Sequence, residues 1–213
     1  MTDSATQARL PLLQRLLHAA PDVITAGVFL VTWITPRHWR DGMVAELMLV
    51  MLVEFILIHS APFLGSVVMA SEMSLGKRLA TLAGFALFYS LFIGAFAASF
   101  ESWWPVMAFA WLIGAKVVAM VGGDRQSAGE VARMRGYWGL SALFYICTVM
   151  ATLFIPLPRL GIIEHGHAYG IGGSGEWVSR PHIVVAAGFL YFSLLAFTKL
   201  TERPSWWQKM GLT

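Results

Sequence analysis

The chain has 213 residues, of which 57% are hydrophobic and only 13% charged, with a mean hydropathy of +0.66. A water-soluble domain of this length carries roughly twice that share of charged residues, so a solvated globule is excluded. The formal net charge of +3 and pI near 9.2 come with no basic stretch dense enough to follow a phosphate backbone. Nucleic acid is therefore not an expected partner, the lipid bilayer is, and the basic excess reads as topology information.

The opening stretch, MTDSATQARLPLLQRLLHAAP, has an acid at Asp3, no continuous apolar core and no small-residue cleavage signal, and is not expected to be a signal peptide. Residues 1–7 are polar and expected to fray. Leu10, Leu12, Leu13, Leu16 and Leu17 recur against Arg9, Gln14, Arg15 and His18, which predicts an amphipathic helix lying in the membrane interface within residues 1–20. Pro21 suits the first turn of a following helix. The run 22–35 is short for a span, about 21 Å at 1.5 Å per residue.

Five longer apolar runs follow, near residues 43–70, 79–100, 103–122, 137–156 and 182–200. The expected fold is all-α, a polytopic transmembrane helix bundle of about six spans occupying residues 21–203 as one domain, with a terminal tail at 204–213. Residues 122–136 read as a charged connector and 157–181 as a long outward loop. Trp103, Trp104, Trp206 and Trp207 sit where interfacial aromatic anchors belong. Ten Lys and Arg residues fall on the side of the termini (positions 9, 15, 77, 78, 125, 133, 135, 199, 203 and 209), against Arg37, Arg40, Arg159 and Arg180 opposite. That bias places both termini in the cytoplasm. Cys147, the single cysteine, lies inside an apolar run, which leaves no partner for an intramolecular disulfide and no cysteine metal cage.

Polar residues inside spans cost several kcal/mol unless paired, so each needs a reason. The run GMVAELMLVMLVEFILIHSAPFLGSVVMAS carries Glu46, Glu54, His59 and Pro62. Glu54 falls about 16 Å and His59 about 24 Å along this helix, and Lys116 about 18 Å along a helix entering from the same side. The matched depths make Glu54 and Lys116 a candidate buried pair, read either as a register-fixing salt bridge or as a proton path. Five residues turn a helix by about 140°, so Glu54 and His59 do not share one narrow face. Pro62 removes the hydrogen bond to the Ile58 carbonyl and predicts a kink.

The outward loop holds Glu164, His165, His167 and Glu176, with His182 just beyond it. An H-x-H pair in extended backbone directs both rings to one side, and imidazole with carboxylate suits zinc or copper, so these residues form a candidate metal site. Against it, the glycines at 166, 170, 172, 173 and 175 predict a flexible connector that preorganises nothing. GGSG at 172–175 resembles the serine motif of rhomboid intramembrane proteases. No histidine follows His182, however, and SRP separates the motif from the last span, so protease activity is not expected.

The segments MLVEFILIHSAPFLG, GFALFYSLFIGAF and RPHIVVAAGFLYFSLLAFTKL loosely resemble bacterial multipass membrane proteins grouped as domains of unknown function. The resemblance implies an inner-membrane location and no known chemistry. No complete catalytic or nucleotide-binding set occurs. The primary expectation is a non-enzymatic scaffold or accessory subunit, either self-associating or partnered. The alternatives are a small-solute or proton transporter using Glu54 and Lys116, and an outward metal-binding protein or metalloenzyme using His165, His167 and His182 with Glu164 or Glu176.

Overall fold

The computed structural model describes residues 12–70, 72–122 and 128–201. Within them the fold is all-helical: α1 (Leu12–Ile34), α2 (Met43–Met69), α3 (Leu75–Ser99), α4 (Trp104–Val121), α5 (Ala128–Phe154), a 3-10 turn (Gly166–Tyr169), the one-turn α6 (Glu176–Ser179) and α7 (Pro181–Thr201). All but α6 among the α-helices are long and apolar enough to cross a membrane, six spans in all. The expected frayed residues 1–7, Leu10 at the start of the interfacial stretch, the anchors Trp206 and Trp207 and the tail 204–213 lie outside the described residues.

Two boundaries differ from expectation. The interfacial stretch and the short first span are one continuous helix, with Pro21 inside α1 rather than opening a new element. Proline forfeits one backbone bond, but the buried stripe Ala19, Asp22, Ala26, Phe29 and Trp33 recurs every three or four residues and runs past it. Packing of that face against α7 holds the helix straight through. Likewise, much of the expected 122–136 connector is the first two turns of α5. Ala128, Glu130, Ala132, Met134 and Arg135 are good helix formers, so the helix continues past the apolar run.

Helix α7 is the central element, packed on α1, α5 and α2. Every residue from Pro181 to Gly188 is buried. Contact with α1 is close because residue 188 has no side chain: a Cβ there would overlap the fully buried Phe29 ring. Helix α2 is shared between two apolar cores. One side meets α1, α5 and α7 through Leu47, Met48, Met51, Val184 and Tyr191; the other meets α3 and α4 through Leu49, Val53, Leu82, Ile93 and Phe109.

Contrary to the expected flexible connector, the long loop is folded down as a cap. Ile162, Tyr169, Ile171 and Val178 are buried in the α1–α2–α7 core. The Trp33 indole donates to the Pro158 carbonyl at 3.1 Å, and the Gly161 N–H donates to the Trp33 carbonyl at 3.0 Å. Gly161 lies so close to α1 that a Cβ would collide with the Ile34 carbonyl oxygen. The apolar residues spaced between the glycines supply the burial that orders the segment, an effect that glycine content alone does not register.

Candidate functional site

Glu54 and its surroundings form the polar centre of the bundle. The Tyr191 hydroxyl of α7 donates to Glu54 Oε1 at 2.6 Å. One turn earlier on α2, the Met51 carbonyl accepts from the Tyr145 hydroxyl of α5 at 2.8 Å. The two tyrosine rings meet edge to face, 5.6 Å between centroids. Two side-chain bonds and one ring contact thus join α2, α5 and α7 at one level. Asp22 and Lys199 lie within electrostatic range of Glu54 and pair with each other at 2.5 Å across the α1–α7 seam. Asp22 is buried, so this ion pair keeps a carboxylate from standing alone in the apolar interior.

The expected Glu54–Lys116 pair does not form: Glu54 takes its partner from α7, while Lys116 is on α4, which packs against α3 and the other side of α2. Matched depth is necessary for pairing, but the direction each side chain faces decides it. His59 points away from Glu54, as the 140° spacing anticipates, and its Nδ1 lies 3.0 Å from the Tyr89 hydroxyl of α3. The Ile58 carbonyl, which Pro62 leaves without a helical donor, accepts instead from the Trp138 indole of α5 at 2.6 Å.

At the loop end, Glu46 ties three segments together. Its carboxylate accepts from the Trp104 indole at 3.1 Å and from the Ser102 hydroxyl at 3.5 Å, and pairs with Arg40 at 3.6 Å. Glu164 pairs with Arg37 at 3.1 Å, and that guanidinium lies 5.9 Å from the Tyr169 ring centre. Arg37, Asp41, Gly42, Ala168, Tyr169 and Gly170 enclose an open hollow of about 530 Å³. At the opposite end, Arg78 caps α2 by donating to the Val67 carbonyl at 3.2 Å and to the Val68 carbonyl.

The candidate metal ligands are not brought together. His165 Nδ1 is 2.7 Å from the Ser179 carbonyl and His167 Nδ1 is 2.9 Å from the Ile171 carbonyl. Residues 166–169 form a 3-10 turn, so the extended backbone that would align the two rings is absent. Glu164 is held by Arg37, Glu176 pairs with Arg180, and His182 is buried at the start of α7. Among the described residues no three His, Cys, Asp or Glu side chains converge.

Asp22, Tyr191 and Trp138 carry much of this network without having stood out in the sequence. Asp22 and Lys199 offered a faint signal, being opposite charges near the same end of the two outermost spans; Tyr191 and Trp138 offered none beyond being polar-tipped rings in apolar runs. Compared with known proteins, the chain matches no family model, no curated protein and no solved structure.

Proposed function

We propose that this chain is a multipass protein of a bacterial inner membrane, with both termini cytoplasmic, that acts as a non-enzymatic scaffold or accessory subunit. The observation behind the reading is how the intramembrane polar groups are used. Glu54 with Tyr191, His59 with Tyr89, Asp22 with Lys199 and Trp138 with the Ile58 carbonyl each join a different pair of helices. Such links fix helix register and rotation, and they are spread through the bundle rather than gathered round a space where a substrate would sit. A partner also has room: α3 and α4 expose the large apolar side chains Leu87, Leu91, Met107 and Trp111.

Native mass spectrometry of the protein drawn from its own membrane into lipid nanodiscs tests this reading. The expected species is heavier than the 23.5 kDa of one chain by a whole-number subunit or a defined partner. A lone chain in every lipid composition would overturn it.

A further inference from the structure

On the face of α2 turned away from Glu54, His59 is exposed on the surface of the bundle. It lies ten residues, about 15 Å, from the helix end at Met69. A helix of 27 residues is about 40 Å long against a hydrocarbon core of about 30 Å. His59 therefore sits roughly 10 Å inside the hydrocarbon boundary.

The proton on this imidazole can be placed. The Tyr89 side chain is 3% exposed, and its hydroxyl has one hydrogen-bond partner among the described residues, His59 Nδ1 at 3.0 Å. A buried O–H donates to whatever acceptor it reaches, so Nδ1 accepts and Nε2 carries the hydrogen. That Nε2–H has no partner among the described residues. An unbonded N–H facing hydrocarbon is costly, and phospholipid ester carbonyls lie too shallow to reach it.

The donor is framed by flat rings. Phe55 stacks on the imidazole at 6.1 Å with 24° between planes, and Phe63 lies 5.7 Å away on the next turn. Phe85 backs Phe63 at 5.5 Å and Phe88 backs Tyr89 at 5.2 Å. We propose that His59, Phe55 and Phe63 bind the head group of a lipid-soluble quinone, one ring carbonyl accepting from His59 Nε2–H. A quinone supplies both missing elements, a deep-lying carbonyl and a planar ring that stacks on aromatic side chains. A partner helix would instead favour small residues around the polar contact, which permit close backbone approach. This site goes beyond the accessory-subunit reading and does not depend on it.

The test is a titration of a decyl-tailed benzoquinone into the protein in phosphatidylcholine nanodiscs, read by quenching of tryptophan fluorescence, with empty nanodiscs correcting for partition. Saturable quenching is expected for the wild type. His59→Leu weakens the affinity by about tenfold, the factor one good hydrogen bond carries, and lowers the melting temperature because it strips the buried Tyr89 hydroxyl of its acceptor. A His59→Leu, Tyr89→Phe double variant, which leaves no orphaned hydroxyl, regains stability but not affinity. Tyr89→Phe frees Nδ1 to take the proton and weakens binding to a smaller degree. Quenching that only follows partition in the wild type, or equal affinity in His59→Leu, would overturn the proposal. So would a His59→Leu protein that binds quinone normally but forms a smaller assembly, since the ridge would then be a helix contact.

Discussion

Tyr191 and Glu54 show how a single donor decides whether a carboxyl group is tolerated among apolar helices. Removing the Tyr191 hydroxyl leaves Glu54 without that donor, whereas Glu54→Gln keeps an oxygen that can still accept from Tyr191. Tyr191→Phe is therefore expected to destabilise by about 1–2 kcal/mol and Glu54→Gln by less. Thermal unfolding in nanodiscs checks the order, and equal or reversed losses would contradict it. Trp138 offers a second case at this scale. Its indole stands in for the backbone donor that Pro62 lacks. Trp138→Phe is expected to cost about 1 kcal/mol in the wild type and measurably less in a Pro62→Ala background, where the alanine restores the backbone N–H. Additive losses would show that the indole bond and the proline are unrelated. The orphaned carbonyl was legible in the sequence, because proline's missing hydrogen is a covalent property that needs no tertiary information. The partner of Glu54 was not legible, because helix rise gives depth, whereas pairing also requires the rotation of each helix and the identity of its neighbours.

Between elements, the α1–α7 seam carries two dependencies. Lys199→Met leaves Asp22 buried without its cation and is expected to cost about 3 kcal/mol. Adding Asp22→Asn recovers most of that loss, because the uncompensated charge is removed as well. If the double variant is no more stable than Lys199→Met alone, the ion pair is not what holds the seam. Higher on the same seam, Gly188→Ala drives a methyl into the Phe29 ring. The expected loss is about 1–3 kcal/mol, the usual range for an overpacked core, and a concurrent Phe29→Leu, which trims the ring, relieves part of it. The leucine recurrence from Leu10 to Leu17 was visible as periodicity, but Pro21 reads locally as a helix start, and the stripe from Ala19 to Trp33 that crosses it did not stand out. Continuity through it comes from contact with α7, a partner at the far end of the chain. The folded cap was hidden for a similar reason. Its glycines speak for flexibility, while Ile162, Tyr169, Ile171 and Val178 act only once α1, α2 and α7 offer a surface to bury them.

At the scale of the whole molecule, six spans put the beginning of α1 and the end of α7 on one side of the bundle. The Arg15 bond to the Leu200 carbonyl at 3.1 Å agrees, since it joins those two helix ends, and the Asp22–Lys199 pair continues the same seam toward the middle of α1. Which compartment that side faces is a question of charge. The cap side holds Arg37, Arg40, Arg159 and Arg180, and three of these lie beside carboxylates: Arg37 with Glu164, Arg40 with Glu46 and Arg180 with Glu176. The positive-inside rule weighs Lys and Arg with little regard to nearby acids, so the excess at the terminal side predicts a cytoplasmic location for it. Cysteine labelling resolves the orientation directly. In a Cys147→Ser background, Ser174→Cys, exposed in the cap, is expected to react with a membrane-impermeant maleimide on intact cells. Glu72→Cys, exposed between α2 and α3, is expected to react only after the membrane is opened. The reverse pattern would invert the whole bundle, because the two sites lie at opposite ends of helices that share one packed core. Labelling of both from outside would instead break the six-span count, since α3, α4 and α5 all crossing must leave residues 72 and 174 on opposite sides.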